Sequence, residues 1–410
     1  MTKEAGVRVF FGHRLREQDG VKRQGVRIAE IRMENGTVFR ARVYIDCSYE
    51  GDLIAQAGVS YTWGRESASQ YGETLAGVRE QTVDHQWLVK VSPYDKDGEL
   101  LPEVSPAPPG TPGAADKKVE AYNFRLCLTQ ERNKQVAFPK PSGYDARRYE
   151  LMGRLLQAIR QKTGRSPRFD EITRIVKLPN GKADFNNNGA FSTDYIGMSW
   201  DYPEAGYRRR AEIREDHVNY IKGFFYFLAH DPRVPADLQD EVNSWGLAKD
   251  EFIDTEHWPH QLYVREARRM VGEYIMTQRD VQAGIREPNS IGMGSYKIDS
   301  HNTFRYVTAE GTVANEGDTE VPLKGPYQIP YRILVPKRNE ITNLLVPVCV
   351  STTHVAYSTL RMEPQYMILG EAAGVAASLA IKENKAVQEI DVTKLRNRLK
   401  QQGAILDYER

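Results

Sequence analysis

The stretch HVAYSTLRMEPQYMILGEAAGVAASLAIKEN, residues 354–384, decides the fold. It reads as one long helix built on one side from Gly370, Ala372, Ala373, Gly374, Ala376, Ala377 and Ala380. A helix that gives up large side chains gives up core volume. It does so where another backbone or a ligand must come close. The start is legible locally: Glu363 stands at the cap and Pro364 at the first helical position, where a missing N–H costs nothing. Lys382 and Lys385 sit at the end, beside the negative pole of the helix dipole. Two readings stand side by side. One is a buried helix packed tightly on a sheet. The other adds a positive helix N-terminus offered to an anionic group. Composition does not separate them.

Outward from this helix the ends of the chain have α/β character. Upstream, YQIPYRILVP (327–336) and ITNLLVPVCVS (341–351) read as strands, and DVTKLRNRLKQQG (391–403) as a closing surface helix. At the other end GVRVFF (6–11), GVRIAEIRM (25–33) and TVFRARVYIDC (37–47) read as strands, with EQDGVKRQG (17–25) and ENG (34–36) as turns. The third strand runs into an acidic turn and a short helix from Asp52 to Ala57, ended by Gly58. The middle differs. It holds a Pro/Gly-rich loop (101–116), a strand (122–129), helices over 144–164, 207–231 and 261–281, and a polar, aromatic segment (182–207) too irregular for one element. The expected organisation is residues 1–60 and 326–410 as one discontinuous domain and 61–325 as an inserted mixed α+β substrate domain.

The 410 residues are 40% hydrophobic and 27% charged, the profile of a globular chain. With 56 basic against 55 acidic residues, nothing favours nucleic acid as a partner. No apolar run reaches the length a membrane helix needs, about 18 residues. Cys47, Cys127 and Cys349 are far apart and match no metal or disulfide spacing, so a reducing compartment, the cytoplasm, is the default. No G-x-S-x-G, P-loop or HExxH motif occurs, and hydrolase, NTPase and zincin chemistry have no support.

Two stretches carry a resemblance: ARVYIDCSYEGDLIAQAGVSYTWGRES (41–67) and NLLVPVCVSTTHVAYSTLRMEPQYMILGEAAGVAASLA (343–380). With GETLAGVR, VREARRMVGEY, SYKIDSHN and PYQIPYRILVP between them, they resemble the FAD-dependent oxidoreductase family of the glutathione-reductase-like flavoproteins. Some bacterial members of it carry the label xanthan lyase. The resemblance implies an FAD/NAD(P)-binding-like α/β fold and FAD as cofactor. It implies that Asp46, Ser48, Glu50, Gly51 and Asp52 line the nucleotide side, and that Met362, Glu363, Pro364 and Gln365 lie nearest the flavin ring. It also implies an opening G-x-G-x-x-G unit that this sequence lacks; SIGMGSY (290–296) has Gly292 and Gly294 but no third glycine. The chain is therefore expected to be N-terminally incomplete relative to the family, with FAD retention weak or lost.

Flavin oxidation needs a base and a substrate-holding surface. By resemblance, His354 lies near the ring; the plain alternative is a histidine bonded to its own loop. Arg361 and Glu363 flank the helix start, Arg361 as a catalytic candidate; the plain alternative for both is a local ion pair or cap. His301, beside Asp299 in KIDSHN, is a candidate base or a solvated turn residue. Arg265, Arg268 and Arg269 share one face of the expected helix, as a substrate clamp or an ion-pair face with Glu266 or Glu273. His257 and His260 in HWPH have ligand-like spacing, but Pro259 and the want of further ligands argue against a metal. The expected function is hydride transfer from a small polar substrate, a carbohydrate or carboxylate, to flavin. The alternatives are a glycan-processing lyase and a cofactor-free fragment. Substrate identity and oligomeric state are not encoded legibly.

Overall fold

The structure, a computed structural model, describes residues 2–79, 82–284 and 286–408. It is a mixed α/β protein that divides into two compact units. One comprises Met1–Trp63, Glu266–Ile298 and Pro322–Arg410; the other comprises Gly64–Arg265 and Asp299–Val321. Among the described residues no helix is long and apolar enough to cross a membrane.

The first unit opens with an antiparallel three-stranded sheet of Val21–Gln24, Arg27–Arg32 and Val38–Phe39. Gln24 faces Arg27 across a two-residue turn, and Gly25 there has φ 59°, which such a turn requires. Tyr44–Ile45 then pairs in parallel with Leu344–Leu345. The Asn343 side chain ties this pair to the sheet. Its Oδ1 accepts the Ile28 N–H at 2.9 Å, and its Nδ2 donates to the Ile28 carbonyl at 2.9 Å. Below them Ile28, Tyr44, Ile54, Ala57, Val59, Met270, Ile341, Leu344, Val346 and Cys349 form one buried cluster.

Residues 354–384 form two helices rather than one: His354–Leu360 and Glu363–Glu383. Met362, in extended conformation, is the N-cap of the second, so Glu363 and Pro364 each stand one position later than expected. Pro364 is still tolerated, because the first turn's N–H groups have no intrahelical acceptor. Ala372, Ala373, Ala376 and Ala380 are buried in the unit's core. The close approach belongs to Gly292 in the strand Ser290–Gly294, where a Cβ would overlap Ile368. At Gly370 and Gly374 an added Cβ would meet nothing. The alanines thus serve internal packing, and the two glycines face open space.

The second unit is built on a five-stranded antiparallel sheet, in the order Gln135–Val136, Gly246–Ala248, Leu126–Thr129, Lys182–Asn187 and Thr173–Lys177. The helices Glu150–Thr163 and Tyr207–His230 belong to the same unit. The longer one buries Ile213, His217, Tyr220, Phe224 and Phe227, spaced four and three apart on a single face. Aromatic rings fill the interior; Phe138 and Phe225 stack at 4.5 Å.

Several expectations need correction. Residues 6–11 are not a strand. Val7, Val9, Phe10 and Phe11 are exposed, and β-propensity without a face to bury does not make a strand. The first strand, Val21–Gln24, lies inside the expected turn. Lys182–Asn187 is a regular strand whose inward set is Ala183, Phe185 and Asn187, too mixed to read as alternation. Residues 261–277 are mostly irregular and contain the two-residue strand Arg269–Met270 instead of a helix. Their arginines go to different carboxylates: Arg265 to Asp194, Arg268 to Asp52 and Arg269 to Glu266. No common helix face survives that arrangement, and tertiary pairing overrides helix propensity.

Candidate functional site

In the first unit the parallel strand pair carries the acidic turn and the helix starts to the same end of the chain fold. Asp46 Oδ1 accepts from Ser48 N–H at 3.0 Å and from Ser48 Oγ at 2.6 Å. Ser48 Oγ accepts the Gly51 N–H at 3.2 Å. Gly51 turns with φ 67° beside Cys349, whose thiol donates to the Ser48 and Tyr49 carbonyls at 3.4 Å. Arg268 donates to the Glu50 carbonyl at 3.1 Å and to Asp52 Oδ1 at 2.7 Å. Burial pushes the Asp46 carboxyl above its ordinary range, against the opposing Ser48 hydrogen bonds. The Tyr49 ring meets Tyr366 edge-on at 6.0 Å, joining this turn to the first turn of the small-residue helix.

At the other helix start Thr353 caps His354–Leu360, its Oγ accepting the Ala356 N–H at 3.2 Å. His354 is buried, and its Nδ1 lies 2.6 Å from Glu266 Oε2. Glu266 also pairs with Arg269, whose Nε donates to the Thr352 carbonyl at 3.2 Å. This is a carboxylate–histidine pair in which the ring Nδ1–H faces the Glu266 carboxylate. Arg361 is buried at the end of the short helix. Glu363 and Pro364 are exposed, Met362 is half-buried and Gln365 is buried.

These segments hold buried polar atoms without a hydrogen-bond partner: Asp46 Oδ2, Thr352 Oγ1 and Gln365 Oε1. Buried polar groups are nearly always satisfied. Orphans on the acidic turn and on both helix approaches suit a ligand that offers N–H and C=O groups. The flavin end of FAD is such a ligand. The glycines of SIGMGSY do not form a phosphate cradle. Gly292 packs on Ile368, and a Cβ at Gly294 would overlap Tyr327.

The second unit holds another histidine pair. His301 Nδ1 lies 2.7 Å from Asp194 Oδ2, not against neighbouring Asp299. Asp194 Oδ1 accepts from Arg265 at 2.8 Å, and Glu120 Oε2 accepts the His301 N–H at 2.8 Å. Burial raises the Asp194 carboxyl, but Arg265 and His301 outweigh it and hold it at about 2. Burial and then Arg265 push His301 below its ordinary value, so it is neutral at neutral pH. Its Nε2 has no hydrogen-bond partner among the described residues. Nearby His85 stacks on the His301 ring at 6.2 Å. The HWPH histidines go separate ways: His257 Nδ1 to the Glu251 carbonyl at 3.1 Å, and His260 Nε2 to Asp254 at 2.8 Å.

A protein-family model described as FAD dependent oxidoreductase matches residues 1–399. The chain belongs to this family. No curated protein and no solved structure matched it. For a member of the FAD dependent oxidoreductase family, the cofactor is FAD and the general function is flavin oxidoreduction. Sequence reasoning named Glu266 as an ion-pair partner of the arginines, as it is for Arg269, but missed its contact with His354 and missed Asp194; these two carboxylates orient the two histidines. They lie 88 and 107 positions from their partners, and no local pattern announces them.

Proposed function

We propose that this chain is a flavoenzyme that removes a hydride and a proton from a small polar substrate, a carbohydrate or hydroxy-carboxylate. Bound FAD supplies the two-electron acceptor. Asp46, Thr352 and Gln365 would bind its flavin end, supported by their unpartnered polar atoms. The 21-residue helix Glu363–Glu383 offers its positive N-terminus to negative charge. His354 is the base: Nε2 accepts the proton of the substrate hydroxyl as the C–H hydride leaves, and Glu266 stabilises the imidazolium. The 2.6 Å contact between His354 and Glu266, in the unit that holds the flavin-end residues, carries this assignment. Without a G-x-G-x-x-G cradle in the sequence, FAD is retained weakly and is best supplied throughout purification.

The test is to load the protein with FAD, follow visible flavin absorbance, and screen sugars, uronates and hydroxy acids with an artificial electron acceptor. His354→Gln should lower kcat/KM by about 10²–10⁴-fold and leave FAD affinity unchanged. His301→Gln is the control from the other unit. Full turnover by His354→Gln would refute the role of His354. A titration of FAD with protein that gives no saturable change in flavin fluorescence or absorbance would refute the flavoenzyme reading.

A further inference from the structure

We infer that His85, Asp318 and Glu320 form a divalent transition-metal site, for Mn2+ or Zn2+, in the second unit. Each offers one ligand atom, and these atoms all lie within 4.8 Å of one another. Three donors at about 2.1 Å from one ion lie about 3.4–3.6 Å apart, so a pair at the 4.8 Å limit must close by about 1.2 Å or more, within reach of side-chain rotation, to complete the set.

The independent observation is Asp318. It is 1% exposed, and neither carboxylate oxygen has a hydrogen-bond partner. An isolated buried carboxylate is costly, and one with no donor calls for a proton or a cation.

The backbone is arranged for the same end. Gly317, with φ 112°, turns the chain immediately before Asp318, where a Cβ would press on Thr303. Asp318 and Glu320 are two apart at the strand Thr319–Val321, which puts them on one face. His85 holds a left-handed conformation with φ 47°. The Asn302 and Asn315 side chains both donate to its carbonyl, at 3.1 Å and 3.0 Å. A non-glycine residue held in that region is strained, and such strain clusters at functional sites.

His85 Nε2 lies 3.4 Å from Glu320 Oε1, while Gly189 N–H donates to Nδ1 at 3.1 Å. Ligation through Nε2 moves the ring proton to Nδ1, and the Gly189 contact is given up. Affinity is therefore below that of a fully preformed structural zinc site. One histidine with two carboxylates suits Mn2+ or Zn2+ better than the all-oxygen preference of Mg2+.

The experiment is calorimetric titration of chelator-treated full chain with MnCl2 and ZnCl2, with MgCl2 as comparison. One saturable ion per chain is expected. Asp318→Asn and Glu320→Gln should each weaken it at least tenfold. Both are near-isosteric; if one fails to fold by circular dichroism, the other carries the test. Bound Mn2+ should also broaden the imidazole NMR signals of His85 and His301, since the rings stack. No saturable binding, equal binding by the folded variants, or broadening confined to other histidines would overturn the assignment.

Discussion

Replacing Arg265 with Gln tests how the second unit keeps His301 ready for a proton. The wild-type Arg265 and Asp194 side chains are 0% and 5% exposed and 2.8 Å apart. Removing one partner of a buried pair costs about 3–5 kcal/mol, because the other charge is left uncompensated. In Arg265→Gln the stranded Asp194 keeps His301, at 2.7 Å, as its contacting cation source, with His85 further off. Arg265 is among the groups that depress His301. Its removal raises the His301 pKa, and protonation then repairs part of the damage. In wild type the depressed His301 contributes stability present above its unfolded value, about 6.5. That contribution is lost as pH falls through the lower folded value. In the variant, folded His301 takes up its proton earlier on acidification. The stability gap should therefore be full near pH 8.5 and narrow toward pH 5. It narrows by about 1.4 kcal/mol for each unit separating the two folded pKa values. Urea unfolding followed by tryptophan fluorescence at the two pH values measures it. A gap that is constant, or that widens on acidification, refutes the coupled Arg265–Asp194–His301 arrangement.

Gly374→Ala should stabilise the FAD-free chain by about 1 kcal/mol, since its Cβ meets nothing and alanine favours helix. A Tm at or below wild type would contradict the open space at Gly374. Gly292→Ala should destabilise by about 1–3 kcal/mol, because Ile368 is β-branched, helical and stiff. A Tm equal to wild type would contradict that packing. Burial holds His217 at about 4, opposed by its bond to the Ile213 carbonyl. Stability from this neutral buried ring is present above about 6.5 and lost as pH falls through 4, a change of about 3 kcal/mol. His217→Gln should lack that share of the acid sensitivity in denaturant titrations at pH 7 and pH 4.

What could be read in advance follows the range of the interactions. The helix Tyr207–His230 was legible because its buried residues repeat at helical spacing. The helix over Asp52–Gln56 was legible from its acidic start and Gly58. The break between His354–Leu360 and Glu363–Glu383 was not, because Arg361 and Met362 carry no breaker chemistry beyond the nearby Pro364. The arginine segment failed for a different reason. Its local pattern is helical, but Arg265 and Arg268 are claimed by carboxylates remote in sequence, and only Arg269 pairs locally, with Glu266. The histidines themselves were visible; their contacts with Glu266 and Asp194 were not. Asp318 is the extreme case, since only burial without a partner distinguishes it from any other turn aspartate.

The pairing of Tyr44 with Leu344 has a consequence for biogenesis. That contact closes a loop of about 300 residues, so the first unit cannot finish its fold until the last fifth of the chain has left the ribosome. Most of the second unit, Gly64–Arg265, emerges earlier and uninterrupted. Throughout that interval the nascent N-terminal sheet lacks Asn343 and the core side chains of its late partner. Its hairpin must wait, exposed, during synthesis. Holding chaperones would act on that waiting segment. Cofactor loading has to follow that closure, and free FAD present at that point should raise the yield of correctly assembled protein.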